Sequence, residues 1–367
     1  MTRPDGIFRA VAARRGAWGL LGRLLYPLGA LYGFGAWLRR RAWEAGILGR
    51  VRLPVTVVSV GNIEVGGVGK TPVTAWLASR LNEAGLSVAV VARDLNRSSG
   101  EPYNASRPFR SNRRNTPSDE VLLLARTLPF AKVYAGPDKS RAAALALEDS
   151  APDVILVDDG FQHLRLARDL DIVVMDFDHP FGTGVVIPSG TLREFPSALR
   201  SADWFWVNRV GPGRSGEWIG RALSVLNWRA GLVTSRPSAG KLELLCGGTV
   251  EPGGMRVLAF CGIGSPSGFR RTLEEAGCTV CDLVEFPDHH DYAPGDLSRL
   301  EADRIAAGAD LLVTTEKDAV KIDRQGPALN AGFLKVALEV DGDWKRLLDD
   351  IAAMARGRRR GADDSQM

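Results

Sequence analysis

Lys70 and Thr71 close a glycine-rich run, Gly66-Gly67-Val68-Gly69, that follows an apolar β-type stretch at 55–60 and opens a helical pattern. Strand, glycine-rich turn and helix in that order form a cradle for a polyphosphate. Glycines let backbone N–H groups turn inward, and the helix N-terminus adds its dipole. The lysine then reaches the outer phosphates, and the threonine hydroxyl can hold Mg²⁺. The match to G-x-x-x-x-G-K-T is incomplete, because Glu64 stands where the first glycine belongs and Gly61 lies earlier, at the strand end. The run Glu64, Val65, Gly66, Gly67, Val68, Gly69, Lys70 and Thr71 is nevertheless expected to bind ATP.

Such a loop needs an acid at the end of a neighbouring strand to organise the metal. Asp158 and Asp159 supply it after the apolar run Val-Ile-Leu-Val; the alternative is a strand-terminal pair that caps the next helix. Arg193 and Glu194 sit in a long glycine-rich loop, 176–195, where Arg193 could neutralise a phosphate and Glu194 could join the metal shell. By spacing alone they are equally an exposed ion pair. Asp119, at a helix start after a basic loop, offers either a base for the attacking hydroxyl or a plain N-terminal cap, and spacing favours the cap. Asp288, His289, His290 and Asp291 cluster in Phe-Pro-Asp-His-His-Asp-Tyr, but four histidines in the whole chain argue against a histidine-rich metal site.

These residues need a scaffold that brings strand ends together. From residue 55 onward, apolar β-rich runs at 55–60, 87–92, 132–135, 154–158, 171–176 and 204–208 alternate with helical patterns, the signature of a mostly parallel sheet covered by helices. The expected fold class is α/β: a P-loop NTPase-like three-layer α/β/α domain over 53–225, a Gly-, Pro- and Ser-rich linker over 226–254, and a second, smaller α/β domain over 255–355. A tail at 356–367 is expected to be disordered, having no apolar surface to bury. A chain of 367 residues is long enough for two such cores.

The formal charge of +4 is modest but concentrated at the N-terminus, where arginines bracket an uncharged stretch, 24–38, rich in leucine and aromatics. A spanning helix needs about 20 apolar residues. This stretch is shorter and contains Pro27, so residues 1–52 read as a basic, apolar segment that docks on a membrane surface with anionic lipids, with a true span and a buried helical arm as the alternatives. No nucleic-acid partner and no obligatory protein partner are indicated. The four cysteines lie in the last third and make no disulfide framework; Cys278 and Cys281 lack the second pair that a zinc site requires.

Taken in order, GNIEVGGVGKTP, SDEVLLLAR, DDGFQH, the PFG to LRE run, GIGSPSGF, FPDHH and TTEKDAVK resemble the tetraacyldisaccharide 4'-kinase family of lipid A biosynthesis, over about residues 41–343. The resemblance implies phosphorylation of the 4' hydroxyl of a tetraacyl glucosamine disaccharide 1-phosphate, with ATP and Mg²⁺, at the cytoplasmic face of the inner membrane. It also implies two α/β/α domains with the active site in the cleft between them. By position it makes Lys70 and Thr71 the nucleotide and Mg²⁺ residues, Asp158 and Asp159 the second acidic motif, and Arg193 and Glu194 the L-R-E pair. Asp119 becomes the catalytic base, against the reading from spacing, and His289 its assistant from the other domain. Departures fall at Ala92-Arg93-Asp94-Leu95-Asn96, Ser118-Asp119-Glu120-Val121 and Pro188-Ser189-Gly190-Thr191, which bear on the acceptor rather than on the reaction.

The competing reading is a membrane-associated P-loop ATPase or GTPase switch without a lipid acceptor. No N-K-x-D for guanine occurs, and Thr314-Thr315-Glu316-Lys317-Asp318 is the nearest strand-end motif. An ATP-dependent ligase for a small soluble acid would leave the apolar N-terminal segment without a purpose.

Overall fold

The computed structural model describes residues 24–96, 100–107, 117–211, 214, 217–263, 266–287, 290–322 and 329–364. The chain divides into two compact units. Unit 1 comprises Met1–Pro117, Thr127–Arg236 and Glu339–Met367; unit 2 comprises Ser118–Arg126 and Pro237–Leu338.

Unit 1 opens with helix α1 (Tyr26–Glu44), then β1 (Thr56–Gly61), α2 (Lys70–Glu83), β2 (Val88–Arg93) and the short β3 (Tyr103–Asn104). After helix α3 (Asp119–Thr127), which is part of unit 2 as far as Arg126, come β4 (Lys132–Gly136), α4 (Lys139–Ser150), β5 (Val154–Asp158), β6 (Leu170–Asp176), β7 (Trp204–Asn208) and α5 (Glu217–Leu226). The strand order is β3-β4-β2-β5-β1-β6-β7, and every pairing except β3 with β4 is parallel. Buried Val57, Ala89, Val91, Ile155 and Val157 pack on Ala142, Ala143 and Ala146 of α4. Further along the sheet, Val173, Met175, Phe205 and Val207 pack with Leu199 and with Ile219 and Leu223 of α5. Apolar residues on both faces of a strand are what a helix-covered parallel sheet demands, and they account for near-continuous runs such as Val-Thr-Val-Val-Ser-Val.

In unit 2, strand β8 (Gly231–Leu244) carries the chain in from unit 1, followed by β9 (Thr249–Val250), β10 (Arg256–Cys261), α6 (Pro266–Glu275), β11 (Thr279–Glu285), α7 (Pro294–Ala306), β12 (Leu311–Thr315) and α8 (Glu316–Ile322). Strand β13 (Ala331–Gly342) returns it, and helix α9 (Trp344–Asp364) completes unit 1. β11, β10, β12 and β13 are parallel neighbours. β10 alternates: Val257, Ala259 and Cys261 face Phe269 and Leu273 of α6, while Leu258 and Phe260 pack with Tyr292, Leu297 and Leu300.

Three expected boundaries move. Most of the linker expected at 226–254 is strand, β8 and β9, because its residues complete the ladder rather than loop out. The helix bearing Asp119 belongs to unit 2, not to the domain expected at 53–225. The last helix, expected within the second domain ending at 355, runs through most of the supposed tail to Asp364 and belongs to unit 1. Leu347, Ile351 and Ala355 are buried, Arg358 donates to the carbonyls of Leu53 and Val55 and pairs with Asp169, and Arg359 pairs with Asp153. Charge that reads as solvated tail in one dimension is thus spent on buried or half-buried partners.

Among the described residues, no helix is long and apolar enough to cross a membrane. α1 is inverted relative to an ordinary surface helix. It buries Gly29, Gly33 and Arg40 and exposes Leu28, Leu31, Tyr32, Phe34 and Leu38. The glycines permit backbone-close packing: a Cβ on Gly29 would lie 2.8 Å from Ser189 Oγ, and one on Gly33 2.5 Å from the Phe195 ring.

Candidate functional site

The parallel order places β1 between β5 and β6, with Val60 level with Asp158. The loop leaving β1 therefore emerges beside the ends of both strands, where sheets of this kind bind ligands. Gly69 ends that loop at φ 87°, and a Cβ there would fall 2.1 Å from Asn208 Nδ2, so no other residue fits. α2 begins at the next residue, Lys70. The loop is clamped from several sides. Val65 N donates to Thr191 O (2.7 Å), Asn208 Nδ2 to Val68 O (3.1 Å), and Arg209 to Gly67 O (2.8 Å). Glu64 bridges in strand fashion to Leu192, so the residue standing in place of the first glycine ties the loop to the 176–195 segment.

Beneath the loop the two acids divide their work. Asp158 is buried and accepts from Thr71 Oγ1 (3.2 Å) and Thr74 Oγ1 (2.9 Å); burial pushes its pKa up, against the pull of Lys139 and Lys70. Asp159, in the left-handed region at φ 50°, faces Lys70 Nζ (3.5 Å) and Arg193, which donates to both its oxygens (3.1 and 2.9 Å). Burial opposes its ionisation too, but Lys70, Arg193 and Lys139 overcome that and hold its pKa at about 2. Lys139, at the start of α4 and buried, donates to the main-chain carbonyls of Asp158 (2.6 Å) and Asp159 (2.5 Å). Burial lowers its pKa to about 8, offset in part by the two carboxylates. His163 Nε2 lies 3.0 Å from Ser140 Oγ; burial and then Lys139 depress its pKa to about 4, so it is neutral at pH 7.

Lys70, Thr71, Asp158, Asp159 and Arg193 are thus brought together, in a set rich in cations and hard oxygen donors. Two carboxylates and a threonine hydroxyl are the donor chemistry that suits Mg²⁺, and the surplus of Lys70, Lys139, Arg193 and Arg209 suits a polyphosphate. Glu194 departs from expectation. Both its oxygens accept from Arg40 of α1 (2.6 and 3.0 Å), both side chains are buried, and Arg40 also lies over the Phe161 ring. Where a metal-shell role was expected, the Glu194 carboxylate is engaged in a buried ion pair with Arg40 of α1. Sequence reasoning missed Arg40, Lys139, Asn208 and Arg209. Only Lys139 had a local signal, a lysine one residue into a helix that starts just after a strand end.

In unit 2, Asp119 is the first residue of α3, and its carboxylate lies 3.2 Å from Lys321 Nζ. His289 and Asp288 fall outside the described residues. His290 Nε2 lies 2.9 Å from Asp296 Oδ2, and its ring stacks on Phe286. Among the described residues no group of His, Cys, Asp and Glu has the makings of a multi-ligand metal cluster.

The family model for tetraacyldisaccharide-1-P 4'-kinase, LpxK, matches residues 21–353. A tetraacyldisaccharide 4'-kinase from Anaeromyxobacter dehalogenans strain 2CP-1 is 39% identical over 348 residues, covering 89% of this chain and 90% of that one. Its counterpart from Geobacter metallireducens is 41% identical over 315 residues, covering 84% and 89%. The crystal structure of LpxK from Aquifex aeolicus in complex with ATP superposes with a TM-score of 0.72 at 26% identity, covering 91% of this chain and 99% of that one.

Proposed function

Because the chain belongs to the tetraacyldisaccharide-1-P 4'-kinase family, we propose that it transfers the γ-phosphoryl group of ATP to the 4' hydroxyl of a tetraacyl glucosamine disaccharide 1-phosphate. The observation that carries this reading is the assembly of Lys70 and Thr71 against Asp159 and Asp158 below an open, clamped glycine loop. Lys70 and Arg193, now engaged with Asp159, supply positive charge for the phosphates of ATP, while the backbone from Glu64 to Gly69 cradles them. Thr71, Asp158 and Asp159 would hold Mg²⁺, which when bound neutralises charge on the outer phosphates. Asp119 accepts the proton of the attacking 4' hydroxyl, and Lys321 Nζ stands 3.2 Å from its carboxylate. His289 is proposed to assist it. The products are ADP and the 4'-phosphorylated lipid.

The inverted α1 supports docking on an anionic membrane surface, with its aliphatic and aromatic face at the acyl boundary and Arg39 and Arg41 at headgroup level. Use of ATP supports the cytoplasmic face of the inner membrane. A P-loop NTPase-like unit 1 is supported by the strand, glycine loop and helix sequence at 56–83.

Purified protein in detergent with Mg²⁺ and γ-labelled ATP is expected to label the disaccharide lipid. ATP hydrolysis at the same rate with and without that lipid, and no labelled lipid, would favour the switch ATPase. Leu31→Glu with Phe34→Glu is expected to weaken flotation with anionic vesicles by roughly 10-fold or more, and unchanged flotation would refute the docking reading.

A further inference from the structure

The strand-end segment 314–321 of unit 2 has no part in the phosphate cradle, yet it carries two deeply buried charges. Asp318 is 0% exposed and accepts from Gly262 N (3.0 Å) and Thr315 Oγ1 (2.8 Å). Lys321, 4% exposed and one helical turn on, aims its ammonium at three oxygens: Asp318 Oδ1 at 3.5 Å, His290 O at 3.1 Å and Asp119 Oδ2 at 3.2 Å. An ammonium has three N–H donors, and each has a partner here. Two of the acceptors are structural, a buried carboxylate and a main-chain carbonyl. The third belongs to Asp119, whose side chain retains 18% of its exposure.

Burying a cation beside a fully buried acid is repaid only where good geometry and further hydrogen bonds satisfy both groups. Its position gives it a use: it joins the first turn of α3, which bears Asp119, to the loop around His290. We infer that Lys321 is a positioning residue for the transfer step, fixing the Asp119 carboxylate in place, and that Asp318 orients Lys321. The inference rests on the reading of Asp119 as the base. Lys321 acts through Asp119.

The test is a double-mutant cycle on turnover with saturating lipid acceptor, using Asp119→Asn, Lys321→Met and both together, with the KM for ATP measured in each. Asp119→Asn is expected to lower kcat by about 10²- to 10⁴-fold, as loss of a general base does, and Lys321→Met by roughly 10-fold or more. The double variant should be no slower than Asp119→Asn alone within about 2-fold, with the KM for ATP little changed throughout, because a residue that works through Asp119 has nothing left to position. Effects that multiply in the double variant, or wild-type turnover in Lys321→Met, overturn the inference. Wild-type turnover in Asp119→Asn instead removes the base assignment itself, and the inference with it. If Lys321→Met does not fold, as its thermal transition will report, the same cycle is run with Asp318→Asn combined with Lys321→Met, which leaves no lone buried charge. The same non-additivity is then required.

Discussion

Each unit ends parallel strands in acids paired with lysine, but the two edges are built for different partners. At the edge of unit 1, Asp158, Asp159 and Asp176 face four cations, Lys70, Lys139, Arg193 and Arg209, and the glycine loop leaves space: no atom lies within 4 Å of a Cβ placed on Gly67. A surplus of cations around an open backbone cradle is suited to a polyanion. At the edge of unit 2, one lysine, Lys321, is shared between Asp318 and Asp119. That edge offers a single held carboxylate. Under the proposed function, the first edge receives the polyphosphate and the second presents the carboxylate that accepts the proton.

Mutating the two edges should therefore give different kinetic signatures. Lys70→Ala is expected to lower kcat/KM for ATP by about 10²- to 10³-fold with a raised KM for ATP, whereas Asp119→Asn lowers kcat and leaves that KM almost unchanged. Steady-state kinetics with varied ATP separates them, and a raised KM in the Asp119 variant would erase the contrast. The next effect is structural. Glu194→Gln strands the buried Arg40 guanidinium and is expected to cost roughly 3 kcal/mol in denaturant unfolding, as breaking a buried ion pair does. Unchanged stability together with a greater Mg²⁺ requirement would instead return Glu194 to the metal shell.

The smallest effect concerns pH. His163 has a folded pKa of about 4 against 6.5 when free, so the unfolded chain binds the extra proton between those values. Its contribution is complete above about pH 6.5 and is lost as pH falls toward 4. His163→Gln is expected to flatten that part of the stability profile by roughly a few degrees in the thermal midpoint; an unaltered slope would mean that other groups carry it.

Much of unit 1 could be read in one dimension, since the strands and the phosphate loop follow from near-continuous apolar runs and from glycines just before Lys70. The division of the chain could not. Ser118–Arg126 looks like one more helix of the first domain, and only packing assigns it to unit 2 beside Lys321. α1 reads as an apolar stretch, and composition does not reveal that glycines face inward and leucines outward. Arg193-Glu194 illustrates the limit: adjacent residues, one turned to Asp159 and the other to Arg40.

By itself the sequence determined the local grammar: an α/β chain, a glycine-rich loop between a strand and a helix, acids at a strand end, and the family resemblance that named the reaction. Which acids meet which cations was decided by tertiary structure alone. Strand order and helix packing set those distances, and the strength of a charge pair depends on separation and burial, neither of which a linear spacing contains.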